Sequence, residues 1–403
     1  MNIAQQITDH IYWVGGSDRR IALFENMFPL PNGVAYNSYI IMDEKVAIID
    51  SVDSAITQQF FENILHVLDG RTVDYLVVNH MEPDHCASID ELCRRFPDMK
   101  IVGNKKTFQM IRQFYNFEID LRMHEVKEGD ALSLGAHMLR FYFTPMVHWP
   151  EVMMTYDETS KVLFAADAFG AFGALSGNLF NDELDFEGLF LDEARRYYTN
   201  IVGRYGAQVQ LALKKAAGLD IGMICPLHGP VWRKNIGYFI EKYDRWSRYE
   251  PEKSGVVIAY ASMYGNTENA ATVIANRLSQ RGVQDMRMYD VSKTHPSYII
   301  SDAFKYSHLV FASPTYNNGL YFGMESLLRE MAVLNLRGRK VALVGNGTWA
   351  PVAHTVMQKL VGEMKNMELL AEPLVIHSAL KESQQQEIMA LADAVADSVL
   401  SRG

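Results

Sequence analysis

Cysteine is scarce in this 403-residue sequence, which contains only Cys86, Cys93 and Cys225 and no C-x-x-C pair. This scarcity excludes a disulfide framework, a thiolate zinc ribbon and a rubredoxin-type iron site, and it predicts a reduced, cytoplasmic setting. The sequence has no apolar run of about 18 residues and no basic segment followed by an apolar one at its start, so we expect no membrane span and no signal peptide. Basic residues are in deficit, with 38 Lys and Arg against 48 Asp and Glu, which argues against nucleic acid as a partner.

The acidic excess lies entirely in the first part of the chain. From Ser254 onward there are 13 basic and 13 acidic residues, which leaves 25 basic and 35 acidic residues before that point. The change coincides with a polar segment around Pro251, directly before an apolar strand that begins at Val256. At about 150 residues per domain, the length fits two or three domains. We predict one domain over residues 1–250 and a second over residues 251–403.

The two predicted domains differ in their pattern of strands and helices. In the second, five predicted strands alternate with helices, which indicates a doubly wound parallel sheet: 255–261, 284–289, 308–313, 339–345 and 371–376. Such sheets bind ligands at the carboxyl ends of their strands. In the first, near-adjacent apolar segments predict hairpins, at 36–43 with 46–51, 123–128 with 138–144, and 152–156 with 161–166. With helices such as 190–216, they indicate an α/β domain with two sheets covered by helices.

Histidines and carboxylates cluster directly after predicted strands of the first domain. One strand runs into His80 and then Met81-Glu82-Pro83-Asp84-His85. Alternate positions of an extended segment can point the same way, so these side chains can converge. Three other strand ends each add one residue, which gives seven candidate metal ligands: His80, Glu82, Asp84, His85, His148, Asp167 and His228. Seven ligands are more than one tetrahedral zinc ion can bind, and they suit two metal ions with a bridging carboxylate. Ligand type alone does not choose among iron, manganese and zinc.

Three loops of the second domain follow predicted strands and carry small polar residues. The first, 262–268, places hydroxyl groups and a glycine at a helix N-terminus, which is an anion site without the lysine of a Walker A loop. The loops at 313–319 and 345–351 add aromatic rings that can pack against a planar ligand. The candidate cofactor-binding residues are Ser262, Met263, Tyr264, Gly265, Asn266, Thr267, Ser313, Pro314, Thr315, Tyr316, Asn317, Asn318, Gly319, Asn346, Gly347, Thr348 and Trp349. The run Gly345-x-Gly347-x-x-Ala350 matches a dinucleotide fingerprint, but it follows the fourth strand rather than the first, which argues against NAD.

The H-x-E-x-D-H run at 80–85, the three later ligands and the flavin-type loops resemble the flavodiiron proteins over essentially the whole chain. The resemblance implies a metallo-β-lactamase-like αββα sandwich followed by a flavodoxin-like five-stranded parallel sheet, with FMN and two non-haem iron ions. Hydrolases of the first fold usually carry H-x-H-x-D-H, and here Glu82 replaces the second histidine. By resemblance, one iron would be bound by His80, Glu82 and His148, the other by Asp84, His85 and His228, and Asp167 would bridge them.

The resemblance also implies an activity. We expect an oxidoreductase that reduces O₂ to water or NO to N₂O, and the sequence does not choose between these substrates. The electron donor would be external, either a rubredoxin-like protein or reduced coenzyme F420, because the match is to members without a rubredoxin extension. The assembly would be a head-to-tail homodimer or homotetramer, and Tyr198 is the candidate catalytic residue outside the metal ligands. Two alternatives are a zinc hydrolase with a flavodoxin-like regulatory domain and an electron-transfer protein with a vestigial metal site.

Overall fold

The computed structural model describes residues 1–401, which divide into two units. The first comprises Met1–Tyr198 and Ala207–Asp244, and the second comprises Thr199–Gly206 and the chain from Arg245 onward. The short segment Thr199–Gly206 therefore belongs to the second unit although it lies within the first predicted domain, and the boundary predicted between residues 250 and 251 stays a prediction. Within residues 1–401, no helix has both the length and the apolar composition needed to cross a membrane.

Two β-sheets form the centre of the first unit. The larger has seven strands, in the spatial order Gln5–Gln6, Ile11–Trp13, Tyr39–Met42, Val46–Ile49, Tyr75–Val77, Lys100–Gly103 and Met123–Glu125. The second has five, in the order Ala131–Ser133, Met138–Phe143, Met153–Asp157, Val162–Phe164 and Met223–Cys225. Two smaller pairs are Gly16–Asp18 with Val34–Tyr36 and Leu23–Phe24 with Phe28–Pro29. The α-helices in this part of the chain are Thr57–Leu68, Pro83–Cys86, Ile89–Arg95, Lys105–Phe114, Phe186–Leu189, Leu191–Tyr197, Gly206–Ala216 and Ile236–Ser247. The expected two-sheet α/β architecture is confirmed.

The strands that carry the candidate ligands are apolar because both of their faces are covered. The strand Val162–Phe164 reads Val-Leu-Phe with all three residues buried, and it pairs in parallel with Met223–Cys225. Three strands end at Val77, Phe164 and Cys225, and in each case the third residue beyond the strand is a candidate ligand. The three ligand-bearing loops are thus held in fixed positions at the carboxyl ends of buried strands.

Two expectations for the first domain are wrong in detail. Residues 123–128 do not pair with 138–144, because Met123–Glu125 joins Lys100–Gly103 in parallel while Met138–Phe143 pairs with Ala131–Ser133. Gly135, at φ +128°, makes the tight turn that closes this more local hairpin, a conformation that favours glycine. The predicted helix 190–216 is interrupted after Tyr197 by a π-helix at Tyr198–Val202 and a 3₁₀ turn at Gly203–Tyr205. Glycine and β-branched residues in this stretch have low helix propensity.

The second unit contains a parallel sheet with helices and an apolar cluster on each face. Its strand order is Met286–Asp290, Lys253–Tyr260, Tyr306–Tyr316 and Lys340–Asn346, followed by Glu368–Leu369 and Leu374–Ile376, both beside the fourth strand. Gly319–Leu320 folds back as a short antiparallel hairpin. The helices are Asn266–Gln280, Pro296–Lys305, Phe322–Val333, Ala353–Gly362 and Gln385–Leu400. Val256 and Ile258 pack in one cluster and Val257 and Ala259 in the other, as expected from strand alternation. The predicted flavodoxin-like sheet is confirmed.

Candidate metal centre and flavin pocket

The structure brings all seven predicted metal ligands together in the first unit, and all seven are buried. They form two groups, and within each group the ligand atoms lie within 4.8 Å of one another: His80, Glu82, His148 and Asp167, and Asp84, His85 and His228. The short helix Pro83–Cys86 begins directly after Glu82 and carries Asp84 and His85. Pro83 at the first helical position fixes the start of this helix, because its backbone is already set for it.

Asp167 lies between the two groups. Its Oδ2 is 3.3 Å from His80 Nε2 and 3.2 Å from His148 Nε2, whereas its Oδ1 is 3.2 Å from His85 Nε2 and 3.6 Å from His228 Nε2. Neither oxygen has a hydrogen bond to any residue in the described part of the chain, although both are buried. A buried carboxylate without hydrogen bonds is costly, and a cation on each side would compensate it. The donor set therefore fits two metal ions bridged by one carboxylate.

The outer nitrogens of two histidines are held by fixed acceptors. His228 Nδ1 donates to Ala35 O at 2.8 Å, and His80 Nδ1 donates to Glu151 Oε1 at 2.8 Å. These bonds leave the Nε2 lone pairs facing the centre, which is the arrangement that metal-binding histidines require. Glu151 Oε1 also accepts the Met81 N–H at 2.8 Å. Glu151 was not predicted, and its only sequence signal is its place directly after the His148-Trp149-Pro150 loop.

The histidines and carboxylates of this centre shift one another's pKa values. Burial lowers the pKa of His148, while Asp167 and Glu82 raise it, with a net increase to about 9. Burial likewise lowers the pKa of His80, but Asp167 and the other carboxylates hold it well above its ordinary value. Conversely, burial raises the pKa of Asp167, and the adjacent histidines, His80 first, hold it well below. His80 and His148 therefore hold protons that a binding cation must displace.

Tyr197 and Tyr198 are adjacent but face different neighbours. The Tyr197 ring lies 5.3 Å from the His228 ring, and burial followed by Asp167, Glu82 and Asp84 raises its pKa well above the ordinary value. Its hydroxyl is buried and has no hydrogen bond within residues 1–401. The Tyr198 ring instead packs edge-on against Tyr243 at 5.0 Å. Of these two rings, Tyr197 packs against a candidate metal ligand, and the catalytic role of Tyr198 stays a prediction.

A cavity of ≈ 540 Å³ lies at the carboxyl ends of the strands in the second unit. Its lining includes fourteen of the seventeen predicted cofactor-binding residues; Gly265, Ser313 and Gly319 do not line it. Gly265 instead precedes the helix Asn266–Gln280 at φ +87°, Ser313 is buried in its strand, and Gly319 forms the hairpin with Tyr316. Ala350 and Ser378 also line the cavity and were missed. The volume suits a flavin-sized ligand.

The described residues that line this cavity carry no charged side chain. An anionic phosphate would be held by backbone N–H groups and the dipole of the helix Asn266–Gln280. Asn346 links two of the loops, donating to Thr267 Oγ1 at 3.2 Å and accepting from the Ser378 N–H at 3.0 Å. Tyr264 and Trp349 are 91% and 87% exposed, unusual for such large rings, so they are available to cover a planar ligand.

Comparisons with known proteins agree with both units. A family model described as "ODP family beta lactamase" matches residues 34–229, and a flavodoxin model matches residues 258–373. The chain is 32% identical over 370 residues to a nitric oxide reductase of Moorella thermoacetica, which covers 91% of each chain. Among solved structures, it resembles rubredoxin oxygen:oxidoreductase of Desulfovibrio gigas, with 27% identity, a TM-score of 0.93 and 99% of each chain covered. It also resembles the flavodiiron protein of Giardia intestinalis, with 25% identity, a TM-score of 0.93, and 99% of this chain and 97% of that one covered.

Fold and site together define an oxidoreductase that combines a lactamase-like metal domain with a flavodoxin-like domain. The chain belongs to the flavodiiron protein family. Its cofactors are accordingly FMN and a non-haem diiron centre, and the buried histidine–carboxylate cluster and the flavin-sized cavity fit these groups.

Proposed function

We propose that this enzyme reduces NO to N₂O, O₂ to water, or both, with electrons from an external donor. The observation that carries the proposal is the position of Asp167, whose two oxygens face two separate groups of metal ligands. The names of its relatives, a nitric oxide reductase and a rubredoxin oxygen:oxidoreductase, support these two substrates. A zinc hydrolase is disfavoured because Glu82 adds an anionic oxygen where hydrolases of this fold usually have histidine.

Within this proposal, each group of ligands binds one iron ion. His80, Glu82 and His148 bind the first, Asp84, His85 and His228 bind the second, and Asp167 bridges them. Glu151 and the Ala35 carbonyl orient His80 and His228. The uncharged residues that line the cavity of the second unit bind FMN, and the domains at 1–250 and 251–403 divide the two cofactors between them.

When bound, the irons and the reduced flavin supply the electrons, two for a pair of NO molecules and four for O₂. The protein positions the substrate. Tyr197 is the proposed hydrogen-bond donor, because its raised pKa keeps the hydroxyl protonated and this unpartnered hydroxyl belongs to a ring packed beside His228. Phe24 and Phe172 lie edge-on to each other at 5.4 Å, and Phe24 also packs edge-on against His228 at 5.4 Å. These buried rings keep the surroundings of His228 apolar, which suits small uncharged substrates.

The assembly and the electron donor are further parts of the proposal. We infer a head-to-tail homodimer or homotetramer, in which a second copy covers the exposed Tyr264 and Trp349 at the flavin cavity. The donor is a rubredoxin-like protein or reduced coenzyme F420, and the location is cytoplasmic. Analytical ultracentrifugation tests the assembly, since a fully active monomer would contradict it. Steady-state assays with each donor test the electron source.

Metal and flavin analysis of the purified protein, followed by anaerobic mixing of the reduced enzyme with NO or O₂, tests the function. We expect two irons and one FMN per chain, and oxidation of the flavin by at least one of the gases. The variant Asp167→Ala should lose gas reduction but keep FMN, because Asp167 belongs to the first unit and the flavin cavity to the second. Zinc in place of iron, or flavin without metal, would favour a hydrolase or an electron-transfer protein instead.

A further inference from the structure

A small apolar cavity lies in the first unit beside the loops that carry the metal ligands. Its inner wall includes Val147, Ala168 and Phe169, and its outer wall includes Ala212 and Ala216 of the helix Gly206–Ala216. Its lining is apolar: Met154 and Tyr243 are among the lining residues, but no polar surface faces the cavity. The cavity is separate from the flavin pocket, and none of its lining residues is a candidate metal ligand.

The inner wall is directly connected to the metal centre along the backbone. Val147 directly precedes His148 in the chain and Ala168 directly follows Asp167, so each is the immediate chain neighbour of a candidate metal ligand. His148 contributes to one metal group, and Asp167 faces both. The outer wall belongs to the helix Gly206–Ala216, whose buried Ala212 and Ala216 face the cavity side while Leu211 is 63% exposed, so this helix separates the cavity from solvent. The cavity therefore lies between the protein surface and the loops of the metal centre.

The size and lining of the cavity select its occupant. The cavity has a volume of ≈ 10 Å³, counted as the space open to the centre of a small molecule. This is enough for one small molecule. A buried water needs about two to four polar partners, which an aliphatic and aromatic lining does not supply. A diatomic gas needs no such partners and gains dispersion contacts with the walls. We propose that this cavity binds NO or O₂ on the way to the metal centre, an inference that rests on the proposed function of that centre.

Filling or enlarging the cavity tests the proposal. Ala212→Leu places a larger side chain in the cavity, whereas Leu211→Phe adds similar bulk on the same helix at a position that is 63% exposed. Crystals of the holoenzyme pressurised with xenon should show xenon in the cavity for the wild type and Leu211→Phe but not for Ala212→Leu. In Ala212→Leu, kcat/KM for the gas should fall at least about threefold while kcat at saturating gas is kept, as expected for impaired access rather than chemistry.

A second variant separates access from damage by overpacking, which also destabilises protein cores. Leu213→Ala enlarges the same cavity and should increase xenon occupancy without lowering kcat/KM below that of the wild type. The inference is overturned if the wild type reduces a gas but binds no xenon here, or if Ala212→Leu keeps the wild-type kcat/KM. If the iron- and FMN-loaded wild type reduces neither gas, the proposed function itself has failed, and the role of the cavity fails with it.

Discussion

Replacing Glu151 by glutamine should weaken one metal site of the pair and spare the other. Glu151 Oε1 accepts from His80 Nδ1 and from the Met81 N–H, each at 2.8 Å, whereas Oε2 has no hydrogen bond within residues 1–401. Glutamine can keep its carbonyl oxygen at the Oε1 position, so the geometry of His80 survives but the negative charge is lost. Removing the outer partner of a metal-bound histidine typically costs about 10–100-fold in metal affinity, or about 1.4–2.7 kcal/mol. We expect about tenfold for Glu151→Gln and about 100-fold for Glu151→Ala, which also removes the acceptor.

The assay is anaerobic Fe(II) binding in competition with a chelator, resolved into two sites. Only the site that contains His80 should weaken, because the ring nitrogens of His85 and His228 do not contact Glu151. Asp157→Asn is the matched control, since Asp157 Oδ2 accepts from His137 Nδ1 at the same 2.8 Å in a buried pair outside the metal groups. Equal weakening of both sites, or equal loss in the control, would refute the assigned role of Glu151.

Three further predictions concern Tyr197, the flavin cavity and the pH dependence of iron binding. Tyr197→Phe should lower turnover by about tenfold with unchanged iron content, as the loss of one hydrogen bond of ~1.4 kcal/mol implies, whereas Tyr198→Phe should have a smaller effect; the reverse order in stopped-flow assays would favour the sequence-based choice of Tyr198. Trp349→Ala should weaken FMN binding by about 0.5–1.5 kcal/mol through lost ring contact, measured by fluorescence titration, and an unchanged Kd would contradict that contact. Because the pKa of His148 is raised to about 9 when no cation is bound, Fe(II) binding should release its proton below that pH, so Fe(II) affinity should increase with pH up to about 9; a pH-independent affinity would contradict the protonated centre.

The metal ligands could be predicted from the sequence because their signals are local. Four of them lie within six residues, and Asp167 and His228 each follow a short apolar strand at the same spacing. Glu151 could not be recognised in this way, because its role depends on a contact with His80 that spans 71 residues of sequence. Ser378 was missed for the same reason, since only the folded sheet brings it next to Asn346.

The sequence could not decide between Tyr197 and Tyr198, for a different reason. Consecutive helical residues point about 100° apart, so selecting one requires the orientation of the helix about its axis. That orientation depends on where the regular helix ends, and the structure changes from α-helix to π-helix between these two residues. If one regular α-helix ran over 190–216, as predicted, the side chains after Tyr197 would be assigned wrong directions around the helix axis.

The exchange of histidine for Glu82 explains why the same scaffold suits redox chemistry rather than hydrolysis. Two Fe(II) ions bring four positive charges, against three carboxylates among the seven ligands. With histidine at position 82 only two carboxylates would oppose them, and oxidation of both irons would add two further charges to a buried site. Uncompensated charge in such a site is costly, so the additional carboxylate stabilises the oxidised pair more than the reduced pair. Glu82 also lies 3.2 Å from His80 and 3.0 Å from His148, so its charge acts directly on the first metal group. Zinc does not change its charge, so a pair of zinc ions would not be stabilised in this way by replacing histidine with Glu82.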